Sequence, residues 1–383
     1  MKIGILKWKS FGLEDMTEAF QNLGHEVLQF ILAEENPLEA VGRRQAVEGL
    51  QQWIRKAVPD ILFSFNYFPV VAEAAKQEGL PYISWIYDSP HVRMYDYTVA
   101  YPTNYVFVFD SAVYQEFNTG GVKNVYFLPL AANPERLRKM QGKGLRHKVS
   151  FVGSLYTEQH CFFERLQGIT KYTQGYLEAL LKAQHLIYGV NFIQSSLPEA
   201  VLEDMQRVLP MWPQGVEKRE YLFAQYVLNR ELTVRERREY LGAVAEHYGL
   251  DLYTPDKTVS FPGCRNHGMV NAYSQAPYVY KESAINLNIT LRSIINGIPL
   301  RTFEIMGAGG FLLTNYQEDF NRFFMPGEDY VYFDSRQDMM AKIEYYLTNE
   351  KERRQIAENG FRKIQEQHTY LHRAREMLSY VRE

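Results

Sequence analysis

Short apolar strands alternate with helical patterns through the first third of the chain, and this alternation restricts the fold more than any other feature. Apolar residues recur at helical spacing over residues 13–23, 44–58, 70–78 and 112–118. The intervening strands are predicted at residues 2–8, 26–30, 60–65, 82–85, 105–109 and 125–130. Strands that alternate with helices form βαβ units, and several of these strands are apolar almost throughout. The sequence therefore predicts an α/β fold with a parallel sheet covered on both faces.

The same pattern returns in the second half, after a polar and basic stretch at residues 133–147 that we interpret as a linker. A helical stretch at residues 157–248 is too long for an ordinary crossover, so we expect an insertion. Within it, Thr233 and Glu236 fit a capping box. Around it, strands are predicted at 148–152, 251–253, 284–288, 311–314 and 330–333, and helices at 301–308, 337–347, 350–365 and 371–381. We expect a Rossmann-like domain at residues 1–146, a second one at 147–366 carrying the insertion, and a terminal helix at 367–383.

Composition and charge exclude several classes of protein. The formal net charge is -3, so no basic field attracts the chain to nucleic acid. No apolar run approaches the ~18 residues that a membrane helix needs, and no long apolar leader segment is evident. Cys161 and Cys264 lack CxxC spacing and are expected to be reduced thiols. We expect a cytoplasmic protein without a membrane span.

The segment at residues 301–314, RTFEIMGAGGFLLT, combines a helix, a glycine-rich end and a buried strand. Arg301 and Glu304 lie one turn apart near the start of this helix. Unpaired N–H groups and partial positive charge at a helix N-terminus suit a diphosphate, and a guanidinium adds a forked cation. Glu304 can accept hydrogen bonds from ribose hydroxyls. The alternative interpretation is an ordinary surface Arg–Glu pair.

Two further pairs follow predicted strands. Gly153 and Ser154 end the strand at 148–152, where a glycine lets a phosphate approach backbone N–H groups; a plain turn is the alternative. Asp88 and His91 follow the strand at 82–85, and either side chain can take a proton from an acceptor hydroxyl. Their alternative roles are a turn cap and a surface histidine. Asp110, which ends another strand, is a weaker candidate.

The 301–314 segment resembles the donor-site helix of GT-B glycosyltransferases, and the chain as a whole resembles the CgeB-like group of that fold. In this group a glycosyltransferase family 1-like C-terminal domain follows a CgeB-type N-terminal domain. The resemblance covers nearly the whole chain and rests on an ordered set of segments, at residues 65–69, 82–90, 106–110, 128–133, 151–156, 285–290 and 368–370.

The resemblance implies two Rossmann-like domains that face each other across a cleft, with a terminal helix crossing back to the N-terminal domain. The C-terminal domain would bind a nucleoside-diphosphate sugar, and the N-terminal domain a glycan, small-molecule or protein acceptor. Nucleic acid is not an expected partner. No cofactor beyond the sugar nucleotide is implied, and no metal, because the chain lacks the Asp-x-Asp motif that GT-A enzymes use to hold one.

The resemblance also assigns site residues. Glu304 takes the place of a glutamate that binds the donor ribose, whereas Asn296 replaces a second glutamate of many retaining enzymes. Many related enzymes place Arg and Lys soon after the Gly-Ser turn. This chain has Tyr156 and Glu158 there, so Arg292 or Arg301 would supply the positive charge. Arg265 lies in the turn predicted at 261–267 and Tyr278 on the next helix, in regions that often contact the nucleotide base.

The sequence thus predicts a metal-independent glycosyltransferase acting on a nucleoside-diphosphate sugar. Two alternatives stay open, a catalytically silent nucleotide-sugar-binding protein and a nucleotide-sugar epimerase, which also uses two facing α/β domains.

Overall fold

The computed structural model describes residues 1–32, 40–157, 162–213 and 215–382. Within these ranges the strands and α-helices are, in chain order, β1 (Lys2–Leu6), α1 (Leu13–Asn22), β2 (Glu26–Phe30), α2 (Ala40–Ala57), β3 (Ile61–Phe65), α3 (Pro69–Glu78), β4 (Tyr82–Ile86), β5 (Asn104–Val108), α4 (Ser111–Thr119), β6 (Val125–Phe127), α5 (Pro134–Lys139), β7 (His147–Val152), α6 (Lys171–His185), α7 (Glu199–Val208), α8 (Arg219–Leu222), α9 (Asn229–Tyr248), β8 (Leu250–Tyr253), β9 (Cys264–Asn266), α10 (Ala276–Glu282), β10 (Ser283–Asn288), α11 (Leu300–Gly307), β11 (Leu312–Asn315), β12 (Val331–Phe333), α12 (Arg336–Thr348), α13 (Glu350–Gln367) and α14 (Tyr370–Arg382).

The chain divides into two compact units. The first comprises Met1–Ala131, Gln214–Val216 and His368–Glu383, and the second comprises Ala132–Pro213 and Glu217–Gln367. Each unit contains one sheet of six parallel strands, ordered β2-β1-β3-β4-β5-β6 in the first and β12-β11-β10-β7-β8-β9 in the second. The predicted α/β fold class with parallel sheets is confirmed.

In the first unit, every predicted strand is present within one to three residues of its expected ends. Strands β3 and β4 are buried along their whole length, as is typical of a parallel sheet with helices on both faces. The C-terminal helix α14 contacts α1 and β5 of this unit. The ring of Tyr370 lies 5.8 Å from that of Trp85, and the Arg373 guanidinium donates to the Pro129 carbonyl at 2.8 Å.

In the second unit, the chain between β7 and β8 is helical and has an apolar core of its own. This core gathers residues from α6, α7 and the start of α9, including Leu177, Leu181, Val201, Met205 and Leu232. The later turns of α9 instead contribute Tyr240, Leu241 and Val244 to the cluster that covers the sheet. Helix α9 therefore joins the helical stretch to the sheet.

Three local predictions are wrong. Thr233 and Glu236 lie inside α9 rather than at its start, and the Thr233 hydroxyl donates to the Asn229 carbonyl one turn earlier. The predicted linker contains α5, which packs against α13 and places residues 132–146 in the second unit. The predicted turn at 261–267 contains the edge strand β9.

Cys264 is a free thiol, and Cys161 lies outside the described residues. Within the described ranges, no helix combines the length and the apolar character needed to cross a membrane.

Candidate functional site

The carboxyl ends of β7 and β10 and the start of α11 meet at one edge of the second sheet. β7 and β10 are parallel neighbours, so Gly153, directly after β7, and Asn288, the last residue of β10, lie at the same edge. The Arg301 Nη1 donates to the Asn288 Oδ1 at 3.0 Å. Ligands of open α/β sheets bind outside the carboxyl ends of the strands. This edge is therefore the candidate binding site of the second unit.

Gly153 leaves room for the Arg301 guanidinium. A Cβ atom built on Gly153 would lie 2.4 Å from the Arg301 Nη2, and the backbone φ of Gly153 is 154°, which side-chain-bearing residues rarely adopt. The Gly153 N–H donates to the Tyr253 carbonyl at 2.9 Å, so it is already used within the sheet. Gly153 is therefore needed to make room for the Arg301 side chain, and its own N–H group is not available to contact a phosphate.

A second arginine, Arg237 on α9, lies beside Arg301. The guanidinium carbons of both residues are 5.3 Å from the centre of the Phe151 ring. The Arg237 side chain is 2% exposed and donates to the Ser154 and Ile289 carbonyls. Sequence reasoning missed Arg237 because it lies in a charged run, RERRE. The available signal was its helical spacing from Thr233 and Tyr240, which marks the buried face of α9.

Neither guanidinium group forms an ion pair with a carboxylate among the described residues, although the charge of Glu236 acts on Arg237 from a greater distance. Within the part of the chain that the structure describes, no carboxylate oxygen lies within 4.0 Å of either group. Burial, and to a smaller extent the like charge of Arg301, lowers the pKa of Arg237 to about 10. Buried charges in proteins are normally paired, so this site favours an anionic ligand.

Arg292, the other candidate cation, is already neutralised. Its Nε and Nη2 donate to the two carboxylate oxygens of the buried Glu236 at 3.0 and 2.8 Å, and its Nη1 donates to the Ile187 carbonyl at 2.7 Å. The guanidinium also lies 3.9 Å from the centre of the Tyr188 ring. These contacts assign Arg292 a structural role, so Arg301 is the arginine beside Gly153.

Glu304 lies on α11, the helix that carries Arg301, and Tyr278 lies on α10, which contacts α11. Glu304 is half-buried, one turn after Arg301 on α11. Burial, and then the charge of Glu304, raises the pKa of the neighbouring Tyr280. Tyr280 is buried, whereas Tyr278 is 39% exposed on α10, which contacts α11. Of the two tyrosines, only Tyr278 has a ring face available for a ligand.

Ser154 and Arg265 have different surroundings. The Ser154 Oγ accepts a hydrogen bond from the Tyr156 N–H at 2.7 Å, next to the carbonyl that Arg237 binds. Arg265 is exposed on β9, and its partner in the register is Asp251, which pairs in turn with Ser150. Arg265 is therefore level with the middle of β7 and two strands away from it, and the structure does not bring it to Arg301.

In the first unit, Asp88 follows β4 and is held by Asn66. The Asn66 Nδ2 donates to the Asp88 Oδ2 at 2.6 Å, and the Asn66 Oδ1 accepts from the Tyr87 N–H at 3.1 Å. Surrounding protein raises the pKa of the Asp88 carboxyl, and the Asn66 hydrogen bond opposes this. The side chain is solvent-exposed, so water screens both effects.

His91 and Asp110 have roles within the fold. The His91 Nε2 accepts a hydrogen bond from the Tyr67 N–H at 3.1 Å, and burial lowers the pKa of His91 to about 4. Asp110 is buried, and its Oδ1 accepts from the Ala112 N–H at 2.9 Å as the N-cap of α4.

Comparisons with known proteins give a family match over part of the chain and a fold match over nearly all of it. Residues 231–379, which include α9 from Glu231 onward and all of α11, match the family model described as glycosyl transferase-like. No curated protein gives a significant match to the sequence.

Solved structures match the chain over nearly its whole length. Sucrose-phosphate synthase from Thermosynechococcus elongatus is 11% identical with a TM-score of 0.53, covering 100% of this chain and 98% of that chain. An α-glucosyltransferase in complex with UDP and a 13-mer DNA is 11% identical with a TM-score of 0.54, covering 100% of both chains. A candidate UDP-N-acetylglucosamine 2-epimerase from Listeria monocytogenes is 10% identical with a TM-score of 0.51, covering 99% of this chain and 95% of that chain. At these identities the likeness shows the fold alone, and that fold is GT-B, with a glycosyl transferase-like segment at residues 231–379.

Proposed function

We propose that the chain transfers a sugar from a nucleoside-diphosphate sugar to an acceptor hydroxyl, and that the second unit binds the donor. The observation that carries this proposal is the pair Arg237 and Arg301, two adjacent guanidinium groups without a carboxylate partner within 4.0 Å among the described residues. A diphosphate supplies the negative charge that this edge of the sheet lacks.

In this proposal Arg301 and the start of α11 bind the diphosphate. α11 has Pro299 at its N-cap, and no side chain caps its first N–H groups. Negative charge develops on the diphosphate as its bond to the sugar carbon breaks. Donors and cations held in place before the reaction stabilise that charge without reorganising. Arg237 adds positive charge next to Arg301, so the proposed transfer needs no metal on the diphosphate.

Two residues are proposed to bind the nucleoside. Glu304, one turn after Arg301, accepts hydrogen bonds from the ribose hydroxyls. Tyr278, with its exposed ring on α10, stacks on the base. UDP is the first probe to use, because the α-glucosyltransferase of the same fold was solved with UDP.

We further propose that the first unit binds the acceptor and that Asp88 is the general base of an inverting transfer. The carboxylate accepts the proton of the attacking hydroxyl while Asn66 fixes its orientation. His91 is a weaker choice, because a base with a pKa of about 4 has little affinity for the proton and its Nε2 already accepts from Tyr67.

The first experiment measures nucleotide binding by thermal unfolding with UDP, GDP and ADP. A ligand at about 100 times its Kd stabilises the folded state by about 2.7 kcal/mol, which raises the midpoint of unfolding. We expect one of the three to raise the midpoint of the wild type and of Arg354→Ala, whose arginine forms an exposed pair with Glu350. Arg301→Ala should lose the shift. Equal shifts for Arg301→Ala and Arg354→Ala would refute the proposed donor site.

The second experiment separates binding from chemistry. Asp88→Asn should bind the nucleotide like the wild type and transfer sugar about 10²–10⁴ times more slowly. Asp60→Asn, in which an exposed carboxylate accepts from the Lys2 N–H, is the matched control. Wild-type transfer rates in Asp88→Asn would remove Asp88 from the mechanism.

The same fold is shared with a candidate epimerase, so the donor is also incubated without acceptor. An isomerised sugar nucleotide in that sample would favour the epimerase. Tight binding without any turnover, with or without acceptor, would favour a catalytically silent binding protein.

A further inference from the structure

His147, Asp251 and His267 form a compact cluster on the β8–β9 side of the second sheet. The His147 Nδ1 is 2.9 Å from the Asp251 Oδ2, and the His267 Nε2 is 2.7 Å from the Asp251 Oδ1. The three potential ligand atoms all lie within 4.8 Å of one another. They come from the first residue of β7, from β8 and from the residue after β9. Three sequence-distant segments thus converge on one point.

The His147 ring is held in one orientation with one nitrogen left over. Its Nε2 forms a hydrogen bond with the Tyr253 hydroxyl at 3.1 Å. Its Nδ1 is buried and, among the described residues, has no hydrogen-bond partner, because the nearby Asp251 oxygen is not aligned for one. Metal-binding histidines are typically oriented through their second nitrogen in this way.

The His267 ring is also positioned before any ligand binds. It stacks on the Tyr253 ring with centroids 4.5 Å apart and an interplanar angle of 11°. The His267 N–H donates to the Leu252 carbonyl at 2.8 Å, which fixes the backbone. Tyr253 therefore contacts both histidines, and their nitrogens are presented to Asp251 from two sides.

The charges around the cluster permit a cation. Arg146, which precedes His147, is exposed and is paired with Glu282 at 3.4 Å. Arg265 is exposed, so water screens its charge. The Asp251 carboxylate remains as the negative charge next to two imidazoles.

We propose that His147, Asp251 and His267 bind a divalent transition metal ion, with Zn²⁺ as the preferred occupant. Two imidazole nitrogens and one carboxylate oxygen suit zinc, whereas Mg²⁺ and Ca²⁺ prefer oxygen ligands only. A tetrahedral ion would take water as its fourth ligand. The three ligands come from separate segments around β7, β8 and β9, so no short-range ligand spacing marks this site in the sequence.

The ion serves the structure of the second unit, not the proposed transfer. The cluster lies on the β8–β9 side of β7, whereas Arg301 lies beside Gly153 and bonds to Asn288 of β10, the neighbour of β7 on its other side. The ion ties β9, the edge strand, to β7 and β8. The zinc site and the proposed donor site can therefore be tested independently of each other.

Zinc binding is measured on the full chain by competition with a chromophoric chelator. We expect one equivalent in the wild type and in His247→Ala, whose exposed histidine on α9 is the matched control. His267→Ala should bind zinc at least 100-fold more weakly, since loss of an outer-shell partner alone costs about 10–100-fold. Tyr253→Phe, which removes the hydroxyl partner of His147, should weaken zinc binding by about 10–100-fold.

Thermal unfolding, as a second measurement, excludes misfolding as the cause of weaker zinc binding. The metal-free His267→Ala protein should still fold, although it loses the Tyr253 stacking contact, and only the wild type should gain stability from Zn²⁺. UDP binding should be equal in both. Fewer than one equivalent bound by the wild type at micromolar Zn²⁺, or wild-type zinc affinity in His267→Ala, would overturn the proposal.

Discussion

Replacing Gly153 with alanine should weaken UDP binding by displacing Arg301. The added methyl group would lie 2.4 Å from the Arg301 Nη2, well inside van der Waals contact, so the guanidinium must leave its place beside Asn288. The Gly153 N–H is bonded to Tyr253 and makes no contact of its own with the proposed diphosphate. The substitution therefore tests the role of Arg301 without changing Arg301 itself.

The size of the effect follows from the contact that is lost. A hydrogen bond to a charged group contributes about 1.5–3 kcal/mol. At about 1.4 kcal/mol per tenfold change, Arg301→Ala should raise the Kd for UDP by about 10- to 150-fold. Gly153→Ala should reach most of that increase, because the displaced guanidinium no longer points to the diphosphate.

Calorimetric titration of UDP into four proteins separates this mechanism from general damage. The wild type, Gly153→Ala, Arg301→Ala and the double variant form a cycle in which the double variant should bind like Arg301→Ala. Gly144→Ala is the control, since Gly144 also has a positive φ, 92°, but a Cβ there would have no atom within 4 Å. Additive losses in the double variant, or wild-type affinity in Gly153→Ala, would refute the argument.

Two further predictions concern stability. Because burial lowers the pKa of His91 to about 4, the unfolded chain binds an extra proton between about pH 4 and 6.5, and stability falls by up to about 3 kcal/mol as the pH drops through that window. His91→Gln should flatten this dependence in urea unfolding curves; an unchanged slope would contradict the predicted shift. Glu236→Ala should lower the free energy of unfolding by about 3–5 kcal/mol, because it leaves the charge of Arg292 buried without its carboxylate. Glu239→Ala, on the same helix but with a half-exposed side chain, should cost less than about 1 kcal/mol, and similar losses for both would contradict the buried pair.

Local patterns in the sequence were sufficient to predict most of the elements. Eleven of the strands described here lie where apolar runs predict them, since a strand covered on both faces must be apolar along its length. β9 was missed because Cys264, Arg265 and Asn266 form a short, largely polar edge strand. The spacing of Arg301 and Glu304 on one helical turn was also readable directly, because helix geometry sets it.

The sequence by itself thus determined the α/β class, the order of its elements and the helix that carries the candidate donor residues. Only the tertiary structure decided which charges are available to a ligand. Arg292 and Arg301 are both candidates in the sequence, yet Glu236, 56 residues from Arg292, neutralises one of them, while Arg237, on a different helix, adds positive charge beside the other. Coulomb forces and burial depend on distance in space, and no local pattern records which distant side chain folding will bring within 4 Å.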